Sequence, residues 1–360
     1  MSTRLSPLAI ALLLLGLIVV HAQPPGPDMS VDAGVRTAVI EGMIRELTDF
    51  YVFPDMAAKM TQDIRRRQQA REYDSITTAR QLAETLTTHL RAVSHDKHLD
   101  VRYSPNVLPT FPYPPPAPSP EDVDRQRAFI SQLNFGFEKL ERLAGNIGYV
   151  DLRAFMPPPL MGETAAAAMT FLGSVQALIV DLRQNGGGSP DGVALLASYF
   201  FDQPTRMNDI YDRPSNETRQ FWTLPYVAGR RFVGKDVYLL TSAQTFSAAE
   251  DFAYGLKNQK RVTIVGEVTG GGAHPVGPRR LTDHFAVTVP MGRSISAITH
   301  TDWEGVGVEP DIRVAAPRAL ATAHLTALEK ELPAVTEPPR KREISDAIER
   351  LKKELNSSKD

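Results

Sequence analysis

Apolar residues recur at helical spacing over Val31–Phe50, at Val35, Val39, Ile40, Met43, Ile44 and Leu47, with Ser30 placed to cap the start. The same period predicts a second helix near Asp55–Glu72 and a third near Thr77–Val93, which Ser75 or Thr77 would cap. These stripes are the core faces of a small bundle. At Leu99–Tyr103 the period shortens to the alternation of a strand. The run Pro105–Pro120 then forbids helix or inner strand, because its prolines lack N–H groups and hold φ near one value, so it reads as an extended connector.

Beyond Asn146 short apolar segments alternate with helical ones. Strands are predicted at Ile147–Arg153, Ala177–Leu182, Val237–Thr241, Val262–Val265 and Phe285–Pro290, and helices at Glu163–Gly173, Asp191–Phe201, Ala248–Asn258 and Arg318–Glu331. Such alternation implies an α/β core around a largely buried sheet. Glu337–Arg342 is a polar break before a charged amphipathic helix, Ile344–Leu355. The resulting division is 1–22 as a signal segment, 23–104 as a helical domain ending in a strand, 105–121 as connector, 122–317 as the α/β core and 318–360 as C-terminal helices.

At the start of the chain, Arg4 precedes the uncharged apolar run Pro7–Val20, and Val20-His21-Ala22 offers small residues for cleavage before Gln23. A run of about 14 residues falls short of the roughly 20 that span a bilayer. The expectation is an exported protein, periplasmic or extracellular, with no stable membrane insertion after cleavage. Composition narrows the chemistry further. Lys+Arg 40 against Asp+Glu 42 in 360 residues gives a net charge of -2, which offers no polyanion-binding field and excludes nucleic acid as an expected partner. Cys 0 removes thiolate nucleophiles, disulfides and Cys-ligated metals, so any reaction must use oxygen or nitrogen groups.

Three segments are unusual for scaffolding. Asp181–Gly188 (DLRQNGGG) follows a buried strand and precedes a helix, and its glycines leave backbone N–H groups approachable by an oxyanion. Thr241–Glu250 (TSAQTFSAAE) is again a strand-to-helix junction, with Ser247 at the place of either a simple N-cap or a nucleophile. The third is a pair that could supply bases: Ser94–Leu99 (SHDKHL), with His95 and His98, and Trp303–Asp311 (WEGVGVEPD), with Glu304 in a glycine-rich bend. His95 and His98 have metal-ligand spacing but no third ligand nearby, and no metal or cofactor is expected.

Together and in this order, these segments resemble the serine peptidase family that includes the C-terminal processing peptidases, the tricorn core protease and interphotoreceptor retinoid-binding protein. The resemblance runs from Val31 to Val314 and is most specific at Asp181–Gly188, Thr245–Glu250 and Gly307–Asp311. Tyr51–Asp55 (YVFPD) with Asp96–Leu99 is most similar to the retinoid-binding-protein-like branch. It implies a ClpP/crotonase-like ββα superhelical core beside the helical bundle. In processing enzymes a lysine base follows the nucleophile in a G-E-P-T-x-G-K stretch; here Gly266–Gly272 (GEVTGGG) puts Gly272 at that place. Glu304, where that branch commonly has Gln, fits the histidine-based tricorn-like arrangement instead. The interval Pro105–Gly145 is too short for the PDZ domain typical of the processing enzymes.

The resemblance thus implies a serine-type endopeptidase in which Ser247 attacks a peptide carbonyl, His98 acts as base with His95 as the alternative, and Glu304 orients the imidazole directly or through a polar group. The N–H groups of Gly187 and Ala248, with Gly188 as a further candidate, would hold the oxyanion. His274, His284 and His300 read as surface or loop residues. The expected partner is a peptide or unfolded protein substrate, with the oligomeric state open. The alternative is a non-catalytic carrier of an apolar ligand, such as a retinoid or fatty acid, or a peptide binder on the same fold.

Overall fold

The structure is a computed structural model that describes residues 26–357. The signal segment and its cleavage point therefore lie outside the described residues. In chain order the helices are α1 (Ala33–Phe50), α2 (Pro54–Gln69), α3 (Ala79–Ser94), α4 (Pro120–Ser131), α5 (Pro158–Phe171), α6 (Pro190–Ala197), α7 (Ala248–Asn258), α8 (Ala319–Glu331) and α9 (Pro338–Ser357). The strands are β1 (Asp100–Tyr103), β2 (Phe137–Leu143), β3 (Ile147–Leu152), β4 (Ala177–Asp181), β5 (Arg206–Asp212), β6 (Glu217–Trp222), β7 (Asp236–Thr241), β8 (Thr263–Gly266), β9 (Val276–Arg280), β10 (Phe285–Pro290), β11 (Gly292–Ser296) and β12 (Ile312–Arg313). No helix among the described residues is long and apolar enough to cross a membrane.

The chain forms two compact units, and the division is not linear. Among the described residues, the first unit takes those up to Pro120 together with Ile210–Arg219 and His274–Ser294; the second takes the rest. The interval 122–317 is thus not one body, because the antiparallel sheet of the first unit runs β1-β10-β9, with Val101 opposite Val287. The helical stripes close on that sheet: Met43, Leu47, Met60, Leu82, Leu86 and Leu90 share a core with Val101, Phe285 and Val287. The α1 cap is Asp32, whose carboxylate accepts from Val35 N–H, rather than Ser30. Thr78 holds the cap position of α3 without a side-chain bond. The Pro-rich segment is extended, as its prolines require, but docked: Tyr113 stacks edge-on against Phe50 and its hydroxyl donates to Asp212, while Arg279 donates to the carbonyl of Phe111.

The second unit is an α/β body around a six-stranded sheet of order β12-β8-β7-β4-β3-β2. All neighbours are parallel except β2 with β3. Helices α8 and α9 cover one face, where Ile179, Leu240 and Val265 pack with Ala323, Leu328 and Ile344. The alternate residues Leu178, Val180, Leu239 and Ile264 are equally buried, so the sheet has both faces covered, as parallel sheets require. Helix α5 begins at Pro158, ahead of the predicted Glu163, and two further helices differ from the sequence reading. Helix α4 follows the proline run, and α9 begins at Pro338, because prolines at the first helical positions give up N–H groups that would be unpaired there anyway.

The parallel register places the chemistry. Asp181 of β4 lies opposite Leu240 of β7, and Thr241 of β7 lies opposite Gly266 of β8. The three strands end level, so the loops 182–189, 242–247 and 267–273 leave from one carboxyl edge, where open α/β sheets bind ligands. In the first unit, truncating the fully buried Leu86 to alanine should cost about 2–5 kcal/mol through lost burial and a residual cavity. Urea unfolding monitored by circular dichroism should show that loss, and an unchanged midpoint would mean the α3 stripe is not core.

Candidate active site

At the carboxyl edge of the second unit, the 182–189 loop is pinned before it can serve any function. Asn185 is fully buried; its Nδ2 donates to Leu152 O at 3.0 Å and its Oδ1 accepts from Gly187 N–H at 2.9 Å. Gly187 and Gly188 sit at φ +113° and +136°, a region closed to most side chains. A Cβ on Gly187 would stand 2.9 Å from Ser247 Cβ and 3.0 Å from Ala248 N, so the glycine permits the close approach of the turn to Ser247. The sequence reading offered Gly187 N–H to an oxyanion, but in the structure that amide is engaged by Asn185. The bridge to Phe155 uses Gly187 O and Ser189 N–H and leaves Gly188 N–H out of it.

Ser247 precedes the first residue of α7 at φ 55°, ψ −122°. An ordinary N-cap takes extended backbone with negative φ. A serine held at positive φ is strained by about 1–3 kcal/mol, which persists only where surrounding bonds impose it. Those bonds are on both sides: Phe246 N–H donates to Asn185 O at 3.0 Å, and Ser247 N–H donates to Glu250 Oε2 at 2.8 Å. Thr245 Oγ1 donates to Leu182 O at 2.8 Å and accepts from Ser242 N–H at 3.0 Å. The sequence could not show this strain, since nothing in T-F-S-A-A-E spells a positive φ.

Glu250 is fully buried and accepts four bonds: from Ser247 N–H, from Gly272 N–H at 2.8 Å, from Gly271 N–H at 2.6 Å and from Thr269 Oγ1 at 2.5 Å. Burial pushes its pKa up and these donors pull it back, leaving it raised. Beside it, Asp251 is raised to about 7 by burial and accepts from Asn208 Nδ2 at 2.8 Å. Glu304 accepts from Ala273 N–H at 2.5 Å through Oε2, and its own N–H donates to Asp302. Trp303, buried next to it, donates Nε1–H to Gly272 O at 2.8 Å. The second unit therefore brings Ser247, Ala248, Gly187 and Gly188 together on one side and ties Glu304 to the 270–273 loop.

His95, His98, His274 and His284 belong to the first unit. His95 ends α3 at φ +59° and is exposed, a C-cap in the left-handed region. Asp96 and His98 are buried. Asp96 Oδ1 accepts from His98 N–H at 3.0 Å, while its Oδ2 lies 2.6 Å from His274 Nδ1 and accepts from Tyr51 OH at 3.2 Å. Burial would raise Asp96's pKa, but the His274 hydrogen bond and charge outweigh it and hold the carboxyl below its usual value. Burial pushes His98 down to about 4, with Asp96 opposing. His274 departs from the surface assignment: it is 5% exposed, bonded to Asp96, with its ring edge-on to Phe53 at 5.4 Å. The residues that hold it lie far away in sequence, which is why no local motif marked it. His284 reaches the carbonyl of Ser104, and His300 is exposed.

Comparison with known proteins defines the class. Residues 146–314 match Peptidase family S41, and residues 33–138 match the N-terminal domain of Peptidase_S41 in eukaryotic IRBP. The chain thus carries a peptidase family S41 domain together with the IRBP-type N-terminal domain of that family. It is similar to carboxyl-terminal-processing peptidase 2, chloroplastic, of Arabidopsis thaliana, at 29% identity over 201 residues, covering 52% of this chain and 36% of that protein. The chain thus spans only about a third of that relative's length. Among solved structures it is similar to a protein from Parabacteroides merdae (20% identity, TM-score 0.54, covering 78% of this chain and 90% of that one) and to the photosystem II D1 C-terminal processing protease (16%, 0.51, 78% and 93%). At these identities the likeness establishes the fold.

Gly187→Ala tests the close approach at the turn. The added Cβ meets Ser247, Ala248 and Phe246 within 3.0 Å at a positive φ, so a loss of about 2–3 kcal/mol is expected in urea unfolding. Wild-type stability in that variant would mean that the turn and Ser247 are not packed as described.

Proposed function

We propose that this protein is an exported serine peptidase whose nucleophile is Ser247. The observation that carries the reading is the serine's strained φ of 55° at the N-terminus of α7, beside a triglycine turn and at the carboxyl edge of a parallel sheet. Strain of this kind gathers at functional sites. Ser247 Oγ attacks the carbonyl carbon of an extended peptide, a histidine takes the hydroxyl proton and later returns it to the leaving amine, and water repeats the sequence on the acyl-enzyme. Ala248 N–H, at the positive end of α7, is the first oxyanion donor. Gly188 N–H is the second, since Gly187 N–H is held by Asn185. The substrates are peptides or unfolded proteins. Export rests on the apolar run Pro7–Val20.

For the base, the buried His98 is favoured over the exposed His95, with Glu304 as the carboxylate partner. A neutral imidazole is required, and burial keeps His98 neutral far below the unperturbed value of about 6.5. A specific observation supports a second assignment: the contact of Asp96 Oδ2 with His274 Nδ1 at 2.6 Å is the carboxylate–imidazole contact by which a triad orients its base.

The test is labelling by a fluorophosphonate together with peptide turnover. Ser247→Ala should abolish labelling and lower turnover on the order of 10⁶-fold. His98→Ala should lose nearly as much, whereas His95→Asn, which tolerates the left-handed backbone, should stay within about twofold. If only His274→Ala is inactive, the base is His274. A wild-type protein that is folded yet silent to the probe would turn the reading to a ligand carrier.

The pH profile gives an independent check. Activity falls as the base gains a proton, so with His98 in that role the acid limb lies at about 4 rather than near 6.5. A limb near 6.5 in kcat/KM would exclude His98 as the titrating group.

A further inference from the structure

We propose that Glu250 is the positioning residue of the nucleophile turn, a buried carboxylate that imposes the reactive backbone of Ser247–Ala248 without touching substrate. The inference rests on Ser247 being the nucleophile and deepens that reading.

Ser247, Gly271 and Gly272 contribute backbone N–H groups, which only donate. The fourth partner, Thr269 Oγ1, already accepts Val308 N–H at 2.7 Å, so its hydrogen is directed to Glu250 Oε1. Four donors therefore converge on one side chain, two on each oxygen, and only an acceptor with two equivalent oxygens satisfies them. An amide of the same shape would turn an NH2 toward one pair of donors and leave that pair unsatisfied.

One oxygen, Oε2, serves Ser247 N–H and Gly272 N–H together. The carboxylate thereby ties the serine to the loop that carries Ala273, whose N–H holds Glu304. Through Thr269 it also fixes the bend at Val308. The backbone at Ser247 is thus anchored twice, by Glu250 on Ser247 N–H and by Asn185 O on Phe246 N–H. A positive φ held between two such anchors relaxes when one is removed, and relaxation swings the next peptide, which contains Ala248 N–H, away from the developing oxyanion. Glu250 thus acts on the transition state through geometry, so its loss appears in kcat and leaves KM in place.

The experiment uses the full chain and a biotinylated fluorophosphonate, which forms a bond from Ser247 Oγ to phosphorus as fluoride leaves with the electron pair and the base takes the serine proton. The phosphoryl oxygen needs the same donors as a peptide oxyanion. Glu250→Gln should lower the second-order labelling constant, counted per folded molecule, by about 10²-fold, with the KM of a peptide substrate changed less than about threefold. Thr269→Val, which removes one donor and keeps the volume, should lower it by about tenfold and guards against a Glu250→Gln chain that does not fold. Labelling at the wild-type rate per folded molecule in either folded variant assigns Glu250 a purely structural role and overturns the proposal. A silent wild type overturns the nucleophile reading itself. In that event a crystal structure of Glu250→Gln in which Ser247 keeps φ near 55° would separately refute the positioning role.

Discussion

The site of this protein depends on the level ending of three parallel strands. Because Asp181, Leu240 and Thr241 meet their neighbours in register, the loops after β4, β7 and β8 leave the sheet side by side. A parallel sheet needs both faces covered, and the loops after β4 and β7 lead directly into helices α6 and α7. The N-terminus of α7 therefore lies against the triglycine turn, with Gly187 in close approach to Ser247 and Ala248. Ser247 needs no long side-chain reach to stand at this edge, since the backbone delivers it.

A level edge alone would leave three flexible loops. Buried polar side chains remove that freedom: Asn185 holds the triglycine turn, Thr245 the segment before the serine, and Glu250 the serine together with the 269–272 loop. Each is taken out of water at a cost that only complete hydrogen bonding offsets, and a network that is fully paired becomes rigid for the same reason. The histidine side of the first unit follows this logic, with Asp96 bound by Tyr51, His98 N–H and His274. Burial there has a second effect, since it keeps His98 neutral at ordinary pH.

What the sequence reveals tracks the range over which each interaction acts. The helices α1–α3 and strands such as Phe285–Pro290 are legible because burial imposes a short period on neighbouring residues. Order and spacing single out Ser247, Ala248 and the glycines of 186–188 as candidates, and the structure brings the two segments together. Strand β6 escapes because its Glu217–Gln220 side chains are exposed and carry no apolar alternation. His274 escapes because its partner is Asp96, and the engagement of Gly187 by Asn185 escapes because a donor's direction is not written in residue type. The strain at Ser247 is likewise a product of packing.

The return of His274–Ser294 to the first unit has a consequence for synthesis. Strand β1 is made early, but its partner β10 emerges only after most of the second unit, so the helical stripes of α1–α3 wait with part of their core uncovered. An N-terminal body that cannot close until residue 294 has left the ribosome is not a module that folds first and then guides the rest.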